Sequence, residues 1–358
     1  MAAVPATALE APETEPARAL EVVRDVRRRV RRRAVLAFVA VGLLWFVLFA
    51  ARVLLGDYTV TAPDFVRIVL GEDIPVASFL VMESKLPRAV VGTLAGISFG
   101  VSGAVFQSML RNPLASPDVI GVSMGASAAA VIGILWFGLE GGPVALLAIA
   151  GGLLVALAVT VLSGSRGTAT MKLILIGIGL AAALQSLVQW VFITADVRQA
   201  SDALVWLTGS LNMATWTEIG QVALAVLVLL PVVAVLVPRL RVLELGDDAS
   251  QGLGVRAAPT RLALMCTVVL MMAITTSVVG PIAFVALLSG PIARRLNGGR
   301  TAIALAGVVG ACIVVAADYV GAYGVGDDNL PVGVVTGIAG APFLLWLLVR
   351  SRRVIKDG

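Results

Sequence analysis

LPRAVVGTLAGISFGVSGAVFQSMLRNPLASPDVIGVSMGASA, residues Leu86–Ala128, sets two glycine-studded, small-residue runs on either side of a polar break, Arg111-Asn112-Pro113-Leu114-Ala115. A short basic turn, Lys85-Leu86-Pro87-Arg88, opens it. Two membrane spans joined by a short hinged loop have this pattern: small residues let helices approach closely, and the proline breaks the helical ladder between them. Gly92, Gly96, Gly100 and Gly103 follow at spacings of four, four and three, roughly on one helix face. Ordinary helix packing is the reading favoured for that face, over contact with a ligand.

The rest of the chain extends the pattern. Of 358 residues, 59% are hydrophobic and 14% charged, too little charge to cover a soluble surface. A hydrocarbon core of about 30 Å takes roughly 20 apolar residues as helix. Uncharged runs place ten spans, near 34–55, 86–110, 117–138, 142–163, 171–195, 217–238, 260–279, 281–296, 301–318 and 331–350. Gly280-Pro281 interrupts an otherwise continuous apolar run and is read as a turn. The fold class is therefore all-α, a polytopic membrane protein of about ten transmembrane helices. It comprises a tail 1–33, a transmembrane unit 34–350 and a short tail 351–358.

Basic residues orient the spans, since cytoplasmic loops carry the excess of Lys and Arg. With the N-terminus inside, only Arg52, Arg67, Lys85, Arg88 and Arg198 of the 27 basic residues fall outside or at the outer boundary. Both termini are expected in the cytoplasm. The Arg27–Arg33 run reads as a solvated tail and topology determinant. Nucleic-acid binding would call for aromatic or shape-reading partners, and no nucleic acid is expected. The first apolar run is of full spanning length, so it is expected to stay as an anchor.

Several chemistries are disfavoured. There is no histidine, and Cys266 and Cys312 lie alone in separate spans as small fillers. No metal site or cofactor is expected in this chain. Asp118, Asp196, Glu218 and Asp318 lie near span ends, and no ionisable residue sits at a span centre. Proton-coupled carriers put charges there. No phosphate-cradling G-x-x-x-x-G-K-[ST] occurs, so nucleotide energy would come from a partner and the chain is not expected to be an enzyme. Gln107, Gln185 and Gln189 either bond a neighbouring helix or line a polar route. Gln107, about one turn before the Asn112-Pro113 break, is the better route candidate.

The longest inside loop, Arg239–Arg261, reads RLRVLELGDDASQGLGVRAAPTR. Leu243, Leu245, Ala249 and Leu253 take helix-like spacings, Asp247 and Asp248 suit a first turn, and Gly252 or Gly254 can end the helix. A helix lying on lipid would carry Lys or Arg on its polar face. This face is acidic, which favours docking into a groove on a partner.

Seven segments in order, from Leu86 to Leu348, resemble the permeases of bacterial ABC importers for iron-siderophores and vitamin B12 (FecCD-type). Leu86-Pro87-Arg88 resembles their L-P-R signature, and Ser102–Gln107 their S-G-x-x-x-Q element. Asn112-Pro113-Leu114-Ala115 with Pro117 and Gly121 is similar to the N-P-L-A-x-P-x-x-x-G loop. Trp206–Ser210 resembles the W-x-x-G-S turn. Leu245-Gly246 and Leu253-Gly254 resemble the coupling loop, with Ser250 in place of its Ala. Gly280–Val285 with Arg294, then Leu330–Thr336 with Gly340–Phe343, resemble the eighth and tenth spans.

The resemblance implies a permease in the bacterial plasma membrane that pairs with a second permease subunit, identical or paralogous. It also implies two cytoplasmic ATP-binding subunits and an extracytoplasmic substrate-binding protein. Asn112 and Leu114 would belong to a constriction at the cytoplasmic end, with Thr170 facing them. Leu245, Gly246, Ser250, Leu253 and Gly254 would dock the ATPase. Lys85 and Arg88 would receive acidic residues of the binding protein. The implied cargo is a ferric siderophore or similar chelate, with cobalamin or haem as the alternative. A stand-alone secondary carrier and a structural membrane protein are the readings from other classes. Two departures stand out: Gly290-Pro291 occupies the place of a usual Pro-His, and Tyr319–Asn329 carries Asp327 and Asp328 where many relatives have an Arg. A basic patch on the partner opposite those two aspartates is the corresponding expectation.

Overall fold

A computed structural model describes residues 15–164, 169–212, 214–324 and 329–356. The described residues are helical with connecting turns. The helices are α1 Glu15–Leu54, α2 Ala62–Val69, α3 Ala77–Phe79, α4 Leu86–Leu110, α5 Val122–Phe137, α6 Gly142–Ser163 and α7 Ala169–Ile193. They continue with α8 Val197–Thr208, α9 Trp216–Leu243, α10 Asp247–Gly252, α11 Ala257–Val279, α12 Val285–Leu296, α13 Ile303–Tyr323 and α14 Val332–Lys356. A π-helical turn, Leu80–Lys85, joins α3 to α4.

Seven helical stretches among the described residues are long and apolar enough to cross a membrane: in α1, α3–α4, α6, α7, α9, α11 and α13. Two shorter apolar helices, α5 and the start of α14, and the twelve-residue α12, which ends in Arg294-Arg295-Leu296, occupy the remaining three expected spans. The Gly280-Pro281 turn is present: α11 ends at Val279, Gly280 takes φ +69°, and α12 starts at Val285. The expected tail boundaries at 33 and 351 do not mark structural breaks, because α1 runs unbroken through the arginine run and α14 through to Lys356.

The bundle is built around α4, whose residues are buried along most of its length. Its glycine face explains how. A Cβ on Gly96 would meet the backbone of Gly310 and Ala311, one on Gly100 the Ala306 carbonyl, and one on Gly103 the Ala286 carbonyl. Backbone therefore lies directly against backbone where α4 crosses α13 and α12. Hydrogen bonds between Ser98 and Thr275 (2.7 Å) and from Ser102 to the Val268 carbonyl (3.2 Å) tie α4 to α11. The outer helices turn apolar side chains outward, among them Leu154 and Leu157 of α6, Leu175 of α7, and Leu224 and Leu227 of α9. Inside lipid, helices satisfy their own backbone groups and need no polar exterior.

The arginine run of α1 marks one face of the bundle, shared by the C-terminal ends of α4, α9 and α12. At the opposite face a buried ion cluster joins three helices. Asp318 of α13 pairs with Arg52 of α1 and with Arg88 of α4 (2.8 Å), and Arg52 also donates to the Tyr323 hydroxyl (3.3 Å). Removing one partner of such a group would strand buried charge, so the cluster fixes which helices meet there.

Candidate functional site

A cavity of about 690 Å³ opens on the side of the bundle. One wall comes from the loop after the polar break and the start of α5: Ser116, Asp118, Ser123 and Met124. Asp118 accepts a hydrogen bond from Ser123. Ala181, Ala182 and Gln185 of α7, which packs against that loop at Gly121, form the adjoining wall, while Leu207, Thr208 and residues 281–284 form the rear. The lining is mostly apolar with a few polar groups, as is usual for sites that take small organic ligands.

Three glycines make the rear wall possible. Gly209, Gly280 and Gly333 meet where the end of α8, the α11–α12 link and the start of α14 cross. The Ser210 amide donates to the Val279 carbonyl (2.9 Å), and the Gly333 amide to the Gly209 carbonyl (3.1 Å). A Cβ on Gly280 would strike the Trp206 carbonyl, and one on Gly333 the Thr208 carbonyl. Gly209 and Gly280 also take positive φ, which favours glycine. The segments around Trp206–Ser210, Gly280–Val285 and Leu330–Thr336, far apart in sequence, thus build one wall.

Gln107 lies elsewhere. It is buried and donates from Nε2 to the Leu287 carbonyl at 3.0 Å. Pro291 stands four residues after Leu287 and has no N–H to offer that carbonyl. Gln107 supplies the missing donor. Gly290 supplies the room, since a Cβ there would collide with the Gln107 carboxamide. The Gly290-Pro291 pair, left without a role by sequence, forms one unit with Gln107. Of the glutamines considered for a polar route, Gln185 lines the cavity and Gln107 does not.

The polar break is a compact turn. Arg111 ends α4 in the left-handed region (φ +50°), and the Asn112 side chain accepts from the Leu114 amide at 2.9 Å. Leu114 and Pro113 face Leu287, Leu288 and Pro291 of α12 and Phe343 and Leu344 of α14. Thr170 lies in the first turn of α7, and its side chain is outside the described residues.

The Leu245–Gly254 loop folds as its pattern predicts. Gly246 at φ +113° starts α10 and Gly254 at φ +79° follows it. Ser250 is fully buried beneath the helix, and its hydroxyl donates to the carbonyls of Val242 (3.0 Å) and Gly246. This anchoring leaves Leu245 and Leu253 66% and 62% exposed. Asp247 binds Arg261 (2.6 and 2.9 Å) and also reaches Arg111 at 3.4 Å. Its hydrogen bond to Arg261 holds the carboxyl below the usual value of 3.8. Arg111 immediately precedes Asn112, so Asp247 links the exposed knuckle directly to the polar break.

Lys85 and Arg88 require a correction. Both are buried and turned inward. Lys85 donates to the carbonyls of Leu55 (2.9 Å) and Tyr58, while Arg88 holds Asp318. An exposed docking contact needs reachable charge, and this charge is already used to fasten α4 to α1 and α13. Sequence reasoning missed the Asp318 cluster because its members are more than two hundred residues apart in two of the pairings. Asp327 and Asp328 lie outside the described residues.

The helical bundle, side cavity and leucine-tipped loop define a membrane transport subunit. Residues 43–350 match the model of the FecCD transport family, and the chain belongs to that family. It is 37% identical to the ferric enterobactin transport system permease protein FepG of Escherichia coli, over 83% of this chain and 91% of the relative. It is 35% identical to the Fe(3+)-citrate import system permease protein YfmE of Bacillus subtilis, over 89% and 96%. Its fold is shared with a solved metal-chelate type ABC transporter in an inward-facing conformation, with a TM-score of 0.78, 24% identity, and coverage of 87% of this chain and 98% of the other. The chain is thus a permease of an ABC importer and not an enzyme; ATP hydrolysis belongs to a partner subunit.

Proposed function

We propose that this permease carries a ferric siderophore, or a closely similar iron chelate, across the bacterial plasma membrane, with both termini in the cytoplasm. The observation that carries the cargo reading is similarity at 37% and 35% identity to permeases whose names specify ferric enterobactin and Fe(3+)-citrate. Two permease subunits would enclose the route, each contributing its side cavity. Two ATPase subunits would grip Leu245 and Leu253, held out by Gly246, Ser250 and Gly254. Asn112, Leu114 and Thr170 would form the constriction, moved through the Asp247–Arg111 contact. An extracytoplasmic binding protein would dock on the opposite face through groups other than Lys85 and Arg88.

Two experiments test this. In proteoliposomes the complete importer with Leu253→Asp should keep its membrane insertion but lose ATP-driven uptake by at least about tenfold, as expected when a charge enters an apolar docking contact. Wild-type uptake in that variant would remove the docking role, and uptake by the permease without any ATPase would establish a stand-alone carrier. Growth of a deletion strain on single defined iron sources tests the cargo. Loss on a ferric siderophore, with growth on ferrous salts retained, is expected; loss confined to cobalamin-dependent growth would overturn the iron reading.

A further inference from the structure

The arginine run does more than bias topology. On α1, Arg27 and Arg31 fall four residues apart with Val30 and Ala34 on the same face, and that face borders a second cavity of about 860 Å³. Arg111, Arg241, Arg294 and Arg300 join them from the ends of α4, α9 and α12 and the turn after α12. The cavity therefore gathers six arginines from four parts of the chain, with Glu244 as the carboxylate among its lining residues.

The charge is largely uncompensated. Glu244 accepts from Thr301 at 2.8 Å, Arg294 donates to the same hydroxyl at 3.3 Å, and Arg111 reaches Asp247. Among the described residues, Arg27, Arg31, Arg241, Arg294 and Arg300 form no ion pair. Three helix C-termini oppose an anion here, each with roughly half a negative charge. Arg33, outside the cavity, already donates to one of them at the Leu296 carbonyl (3.3 Å). After these and the two carboxylates are counted, roughly two to three positive charges remain. Arginine forks match phosphate oxygens, which makes a phosphate-bearing anion the fitting ligand.

Position selects the source of that phosphate. Directly beyond Ala34, α1 begins its outward-facing apolar stretch, with Val35, Leu36, Phe38 and Val39 all exposed. A phosphodiester held by Arg27 and Arg31 would leave acyl chains against that stretch, at the height where headgroup gives way to hydrocarbon. We propose that this cavity binds the headgroup of an anionic phospholipid and so clamps α1 to the ends of α4, α9 and α12. Basic pockets between membrane helices are suited to such headgroups.

Native mass spectrometry of the full-length permease in detergent, with phosphatidylglycerol and phosphatidylcholine added in equal amounts, reads the binding. Wild type should retain phosphatidylglycerol preferentially. Arg27→Gln/Arg31→Gln/Arg241→Gln should weaken that retention on the order of a hundredfold, from about fivefold for each basic residue at a lipid surface. Arg28→Gln/Arg29→Gln/Arg32→Gln removes the same net charge away from the cavity and should leave retention near wild type. Equal loss in both triples would reduce the effect to general basicity and overturn the site. Retention undisturbed in the first triple would do the same. Displacement by inorganic phosphate at concentrations comparable to the lipid would assign the cavity to a soluble anion instead. Should the first triple not fold, melting of wild type and of the Arg28→Gln/Arg29→Gln/Arg32→Gln protein in phosphatidylcholine vesicles with and without phosphatidylglycerol decides: an equal rise in both supports the site, and a rise lost in that triple or absent from both overturns it. Failure to retain lipid while the ATPase still binds the cavity would make it a protein contact, also against the proposal.

Discussion

Gln107 is buried in α4 and gives its side-chain amide to the Leu287 carbonyl of α12. A polar side chain in an apolar span signals a partner, and two kinds were open: a helix or a route. The distinction rests on Pro291, 184 residues later, whose missing N–H leaves the Leu287 carbonyl to be satisfied from α4. Sequence spacing holds no trace of that pairing. Gln107→Leu should leave a buried carbonyl unmet and cost about 1–3 kcal/mol. In a Pro291→Ala background the amide returns, and the cost of Gln107→Leu should shrink by about 1 kcal/mol or more, a coupling that a double-mutant cycle of denaturation free energies measures. Additive effects would separate the two residues. Asp247 makes a second argument at this scale. Its folded pKa is lowered by Arg261, so its contribution is fully present above the ordinary carboxylate value and is lost as pH falls through the depressed one. The α10 knuckle should therefore keep its protection from proteolysis from neutral pH down to about 4 and lose it only below. Asp247→Asn should lack that loss below about pH 4, starting from lower protection at neutral pH, and should loosen the coupling of ATP hydrolysis to uptake. Because Asp247 is about half exposed, the larger effect belongs to coupling and not to global stability.

Among the elements, legibility followed periodicity. α4 and α6 begin and end at the residues where uncharged runs do, and α10 follows its acidic first turn and glycine stop. α8, the π-helical turn and α2 were not foreseen: they are short, and α2 and α8 have mixed polarity, with caps such as Thr61 deciding what composition does not. The glycine face of α4 was legible as a packing face, but its neighbours were not, because a spacing says that backbones approach and not which ones. Gly100→Ala tests the resulting picture. The added methyl would press on the Ala306 carbonyl, which a helix backbone cannot yield cheaply, and a loss of about 1–3 kcal/mol is expected, the usual range for overpacking. Gly220→Ala in α9 meets nothing within 4 Å and should be neutral or slightly stabilising. Melting of the purified proteins side by side reads the difference; equal effects would mean that α4 and α13 are not in backbone contact.

At the level of the whole molecule, the outer and inner surfaces divide the work. The core of α4, α11, α12 and α13 is held by backbone contact and by the Asp318 cluster, so it behaves as one body. Around it lie the Asn112 turn, the α10 knuckle and the cavity walls on α5 and α7. A single chain offers an open-sided cavity, which a second permease subunit would close into a route. Cargo passage should then depend on the width left at α7 more than on any one polar contact. Ala182 stands on that wall and is exposed to the cavity. Ala182→Trp would place an indole of some 150–250 Å² of surface into a space of 690 Å³, about the size of ordinary small-molecule sites. Uptake of a ferric chelate into proteoliposomes should fall by about tenfold or more, on the scale of a large blocking side chain in such a site. ATP hydrolysis by the assembled importer should persist, since the knuckle is untouched. Ala182→Ser at the same position keeps the width and should transport normally. A tryptophan that left uptake unchanged would move the route away from this cavity.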